Sequence, residues 1–108
     1  MPAFMHPNLA DVPLPSVLHA LADPTRLEIV RRLNEEADGT GMACNSASPC
    51  DLPRATMSNH FNVLRNAGLI ESRKHGTAVL NRLRRNEIDE RFPGLLDAVL
   101  AADPVSQS

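Results

Sequence analysis

Three features of this 108-residue chain predict a mainly α domain that carries one small β-hairpin. Apolar residues recur at helical spacing in four separate stretches, centred near Leu18, Val30, Phe61 and Leu96. Segments 69–74 and 77–84 flank His75-Gly76, a two-residue hairpin turn in which Gly supplies the positive φ. Between helical and extended chain stands Asn66-Ala67-Gly68, where Gly68 suits the left-handed position that closes a helix.

The elements follow in order. Residues 1–12 carry Pro2 and Pro7 without a clear period and read as a flexible N-terminal arm, 13–103 as the domain, and 104–108 as a tail. Leu14, Val17, Leu18 and Leu21 form the apolar stripe of a short first helix. Asp23-Pro24-Thr25 ends it and starts the next: Asp23 can cap, and Pro24 fits the first helical position, where its missing N–H costs nothing. This second helix runs to about residue 37, with Leu27, Val30 and Leu33 on its core face. Small and turn-forming residues make 38–49 a loop with at most a short third helix.

A fourth helix starts at Asp51 or Leu52, with Pro53 confined to its first turn. The hairpin follows as a basic β-wing. The last helix opens at Asn86-Glu87-Ile88-Asp89, and Ile88, Phe92, Leu95, Leu96, Val99 and Leu100 form its stripe, kinked or restarted at Pro93. Two apolar stripes at the chain ends exceed what so small a core absorbs. That assigns Leu14, Val17, Leu18, Leu21, Phe92, Leu95, Leu96 and Val99 to a homodimer interface, against packing on one another within one subunit.

Composition bounds the function. No apolar run is long enough to cross a bilayer and no basic-plus-apolar leader opens the chain, so a cytoplasmic protein with no membrane partner is expected. Two cysteines are too few for a disulfide scaffold. An enzyme would need a nucleophile with its base, a phosphate-cradling Gly loop or clustered carboxylates, and none stands at a recognised spacing. Net charge is -2, but unevenly placed: residues 54–85 hold seven basic residues and one acid, a net of +6, against four basic and twelve acidic residues elsewhere, -8. A basic module on an acidic body can hold phosphates on one face.

The motif RATMSNHFNVLRNAGL, 54–69, concentrates these signals. Met57, Phe61 and Leu64 can be buried together, which leaves Arg54, Ser58, Asn59 and Asn62 on another, hydrogen-bonding face. A polar helix face that runs into a basic hairpin suits a groove in DNA. Taken alone, the same helix would read equally well as a solvated surface.

ALADPTRLEIVRRL (20–33) and TMSNHFNVLRNAGLIESRKHGTAVLNRL (56–83) together resemble the ArsR-type (arsenical-repressor-like) winged helix-turn-helix transcriptional regulators. The resemblance covers about 14–100 and implies five helices plus a β-wing in a DNA-binding and dimerisation domain, a dimeric repressor, and double-stranded DNA with an imperfect palindrome as partner. It places base contacts on Ser58, Asn59 and Asn62, and phosphate or base contacts on Arg54 and Thr56. His60 is divided between DNA contact and packing beside Phe61. Asn pairs with adenine, and Arg with guanine, through two hydrogen bonds, each pair giving about 1–3 kcal/mol of discrimination. Wing residues Arg73, Lys74 and His75 should add salt-sensitive phosphate contacts. One departure is Pro53, which stands where many relatives place Ser or Thr.

The sensor is less distinct. Cys44 and Cys50 lack the Cys-x-Cys spacing of thiophilic-metal sensors, and 86–102 contains no histidine for a last-helix zinc site. No cofactor is assigned. The two thiols remain sensor candidates, as a reversible disulfide first or as ligands of a thiophilic metal ion second, with His6 or His19 of a partner chain as third ligand. Against both stands a pair of inert thiols. The rival to a DNA-binding regulator is a winged-helix protein-protein adaptor that works through its apolar stripes.

Overall fold

Asp23 shows how local sequence sets the architecture: its carboxylate accepts the Arg26 amide at 3.0 Å, and Pro24 occupies the first helical position behind it. The computed structural model describes residues 4–36, 41–43, 47 and 52–102. Its helices are α1 (Leu14–Leu21), α2 (Pro24–Glu35), α3 (Arg54–Asn66), α4 (Arg85–Arg91) and α5 (Leu95–Ala102), preceded by a 3-10 turn at Leu9–Asp11. Strands β1 (Met42–Ala43), β2 (Ile70–His75) and β3 (Ala78–Leu83) form an antiparallel sheet in the order β1-β3-β2. The expected winged helix-turn-helix is present, and β1 adds a short third strand to the hairpin.

Helix α3 starts at Arg54, later than the Asp51 or Leu52 expected. Pro53 has φ -54° and ψ 144° and sits before the first turn, its carbonyl accepting the Met57 amide at 3.0 Å. The helix closes in a Schellman arrangement: Leu69 N–H donates to Leu64 O and Gly68 N–H to Arg65 O, both at 3.0 Å, with Gly68 at φ +80°. In the wing, His75 pairs with Ala78, so the two-residue turn is Gly76-Thr77, one residue later than the sequence suggests. Pro93 restarts the last helix; α4 ends at Arg91, and Gly94 at φ +80° leads into α5.

The core takes Val17, Ala20 and Leu21 from α1, Ile29 and Val30 from α2, Phe61 and Leu64 from α3, and Leu69, Ile70, Leu83, Ile88 and Leu96 beyond. This corrects part of the dimer assignment. Val17 and Leu96 are wholly buried and Leu21 nearly so, within one subunit, where they cannot also face a partner. Leu14 and Leu18 point outward, 41% and 45% exposed, and Phe92, Leu95 and Val99 are half-buried. Helical period alone does not separate the two sides of α1, because both carry leucine.

Segment 4–12 is anchored to the body at several points, unlike the flexible arm expected for 1–12, while Met5 stays 85% exposed. Leu9 and Val12 are buried, and a Cβ on Gly68 would stand 2.5 Å from Leu9 Cδ2. Arg84 Nη1 donates to Pro7 O at 2.9 Å, and Arg91 donates to Leu9 O at 3.1 Å and Val12 O at 3.2 Å. These partners come from the far end of the chain, beyond the reach of any local period.

Candidate nucleic-acid interface

The 3.6-residue repeat of α3 divides its side chains. Phe61 and Leu64 enter the core with Met57 half-buried above them, while Ala55, Ser58, Asn59, Asn62 and Asn66 share the exposed face. Arg54 and Thr56 are exposed on the first turn. Through the Gly68 turn the chain enters β2, whose outer half, Arg73, Lys74 and His75, is exposed up to the wing tip. The predicted DNA-contact residues thus form two exposed groups joined by one short turn, with His60 the exception.

His60 is half-buried, its Nδ1 3.3 Å from Arg26 Nη1. A guanidinium only donates, so Nδ1 accepts and the ring proton sits on Nε2. Arg26 also donates to Ala20 O at 2.8 Å and His19 O at 3.2 Å. One side chain thereby ties the end of α1 and the start of α2 to the middle of α3. Arg26 was not singled out by the sequence, where it is one charged residue on a helix.

The basic residues of 54–85 differ in burial and in surroundings. Arg82 pairs with Glu71, Arg85 bridges Asp89, Asn34 and Asp97, and Arg84 meets Glu87 through two contacts of 2.9 and 3.1 Å. Hydrogen bonds from Arg84 hold the Glu87 carboxyl below its usual range. Arg65 is 8% exposed and donates to Ser72 Oγ at 3.0 Å and Asn62 Oδ1 at 2.6 Å. Arg54, Arg73 and Lys74 remain on the exposed side.

A buried polar network lies between α3 and the sheet. Ser72 and Asn81 are direct cross-strand partners, inward on strands whose other inward positions include Ile70 and Leu83. Ser72 Oγ donates to Asn81 Oδ1 at 2.6 Å, Asn81 Nδ2 donates to Met42 O at 3.1 Å, and the Arg65 guanidinium lies 4.4 Å over the Phe4 ring. A polar residue at an inward strand position was the available signal for this network.

Cys44 and Cys50 lie outside the described residues, so the sensor assignment has no geometry here. Among the described residues, no group of three His, Cys, Asp or Glu is placed to hold a metal ion. His6, one suggested third ligand, uses Nε2 to accept the Ser72 amide at 3.0 Å. No helix among the described residues is long and apolar enough to cross a membrane.

A family model described as a helix-turn-helix domain matches residues 21–73. The HTH-type transcriptional regulator YceK of Bacillus subtilis, itself uncharacterized, is 32% identical over 84 residues, 77% of this chain and 82% of that protein. An ArsR-like transcriptional regulator from Rhodococcus sp. RHA1 is 31% identical, with a TM-score of 0.53 over 88% of each chain. The chain belongs to the ArsR-type transcriptional regulators. The regulator shares its fold with the transcriptional repressor BigR from Xylella fastidiosa: TM-score 0.63, 21% identity, 86% of this chain and 88% of that one. The relatives it matches are transcriptional regulators and not enzymes.

Proposed function

We propose that the regulator is a cytoplasmic, dimeric, sequence-specific repressor that leaves its operator on a chemical signal. The observation that carries this reading is the exposed run of Ser58, Asn59 and Asn62 on α3, continued within one turn by the basic wing residues Arg73, Lys74 and His75. Helix α3 enters the major groove with Ser58, Asn59 and Asn62 at base edges and Arg54 and Thr56 toward the backbone, while the wing meets phosphates. Repression is supported by the fold shared with BigR, a repressor by name. Leu14 and Leu18, with Phe92, Leu95 and Val99, form the dimer contact, and the operator is an imperfect palindrome with half-sites about 10 bp apart or a multiple of it.

Reversible disulfide formation between Cys44 and Cys50 is the release signal, ahead of a thiophilic metal ion at the same thiols. Fluorescence anisotropy on DNA from the upstream region, at one salt concentration, with thiols reduced and mildly oxidised, tests both parts. Binding that weakens on oxidation and recovers with reductant supports the whole reading. Binding indifferent to oxidation removes the thiol switch, and absence of binding to this and to unrelated promoter fragments leaves the adaptor.

A further inference from the structure

An asparagine at a base edge commonly pairs with adenine through both atoms of its amide. The surroundings of Asn62 point elsewhere. Asn62 Oδ1 lies 2.6 Å from Arg65 Nη1, and a guanidinium has no acceptor, so the atom facing it is the amide oxygen. Arg65 is itself immobilised: Nε donates to Ser72 Oγ at 3.0 Å, that hydroxyl donates to Asn81 Oδ1 at 2.6 Å, and the guanidinium rests 4.4 Å from the Phe4 ring centroid. Asn62 is exposed, and its Nδ2 has no hydrogen-bond partner among the described residues.

We infer that Arg65 determines base preference by fixing Asn62 as a donor, so that Asn62 reads the O6 and N7 acceptors of guanine instead of adenine. This rests on α3 reading DNA as proposed above. Adenine presents one acceptor, N7, beside a donor, N6, and a two-bond pair needs the amide oxygen and nitrogen side by side toward that edge. In the regulator the oxygen is turned toward a buried cation, and a charge-assisted bond of this kind resists being exchanged for a neutral one. Guanine offers two adjacent acceptors to an NH2 group presented alone. Arg65 touches no base in this scheme and acts as a positioning residue.

The test is selection of binding sites from a randomised duplex library by the full-length regulator, its N62A variant and its R65M variant. Loss of preference at one base pair per half-site in N62A identifies the position that Asn62 reads. The expected base there is guanine, favoured over adenine about tenfold or more, with binding weakened when 7-deazaguanine replaces it. In R65M the amide is free to turn, and that preference falls below about threefold while preferences at other positions persist. Adenine at the position, with a requirement for its N6 amino group, would overturn the inference, as would an unchanged guanine preference in folded R65M or an N62A profile identical to wild type. Should R65M fail to fold by circular dichroism, the wild-type base at the Asn62 position decides alone. Failure of the wild type to select any sequence defeats the DNA reading itself and this inference with it.

Discussion

The backbone amide of Ser72 donates to Nε2 of His6 at 3.0 Å, across 66 residues of sequence. Strand β2 lies at the edge of the sheet, and an edge strand presents unpaired amides that a neighbouring chain could capture. His6 covers one of them. With Nε2 as acceptor the ring is neutral, and its pKa is lowered from the ordinary 6.5, first by burial, with Arg84 and Arg65 acting in the same sense and Glu71 and Glu87 against it. The contribution of His6 to stability is therefore complete above the unfolded value of 6.5 and is lost as pH falls through the lower folded value. H6A should lose about 0.5–1 kcal/mol near neutrality, the ordinary worth of one hydrogen bond. Urea unfolding of wild type and H6A should show that gap at pH 7.5 and its closure in acid.

Gly68 is constrained twice, by φ +80° and by Leu9 Cδ2 standing 2.5 Å from where a Cβ would sit. G68A should destabilise by about 1–3 kcal/mol, combining backbone strain with overpacking. Unfolding of the double variant with L9A, compared with each single variant, should be less than additive, because removing the Leu9 tip relieves the contact but leaves the strain.

S72A leaves Arg65 Nε without its hydroxyl partner and removes the donor to Asn81 Oδ1. Because Ser72 and Asn81 are 3% and 0% exposed, water cannot replace either contact cheaply. A loss of about 1–3 kcal/mol is expected, read as a lower urea midpoint.

The sequence was most informative where structure is set by neighbours along the chain. Asp23 and Pro24 at the start of α2, Gly68 at the end of α3 and the hairpin at Gly76 all depend on contacts a few residues apart, and each stands within a residue of its expected place. Tertiary partnerships were not legible in the same way. Arg65 and Arg84 count as positive charge in the sequence, yet each is 8% exposed and bound to groups that only the fold brings near. The apolar stripe of α1 likewise mixes Val17 and Leu21, which fill the core, with Leu14 and Leu18, which face outward. On the candidate interface, exposure of Ser58, Asn59 and Asn62 followed from helical period, whereas the orientation of the Asn62 amide required Arg65 in place.

That division of α1 gives a test of assembly. L14E with L18E alters side chains that are 41% and 45% exposed, so the subunit should remain folded. A dimer that uses this face should dissociate, with sedimentation velocity reporting monomer at concentrations where wild type is dimeric. A double variant that sediments as wild type would move the interface elsewhere.

The central claim, that α3 and the wing together engage DNA, is tested most directly by charge reversal at the exposed wing residues Arg73 and Lys74. Anisotropy titrations of wild type and R73E/K74E on upstream DNA, repeated over a series of salt concentrations, give both affinity and its salt dependence. The variant, still folded by circular dichroism, should lose measurable binding at moderate salt, and at low salt its dependence on log salt should be shallower by about two phosphate contacts per subunit. Wild-type affinity and salt dependence in the folded variant would rule out DNA engagement by the wing.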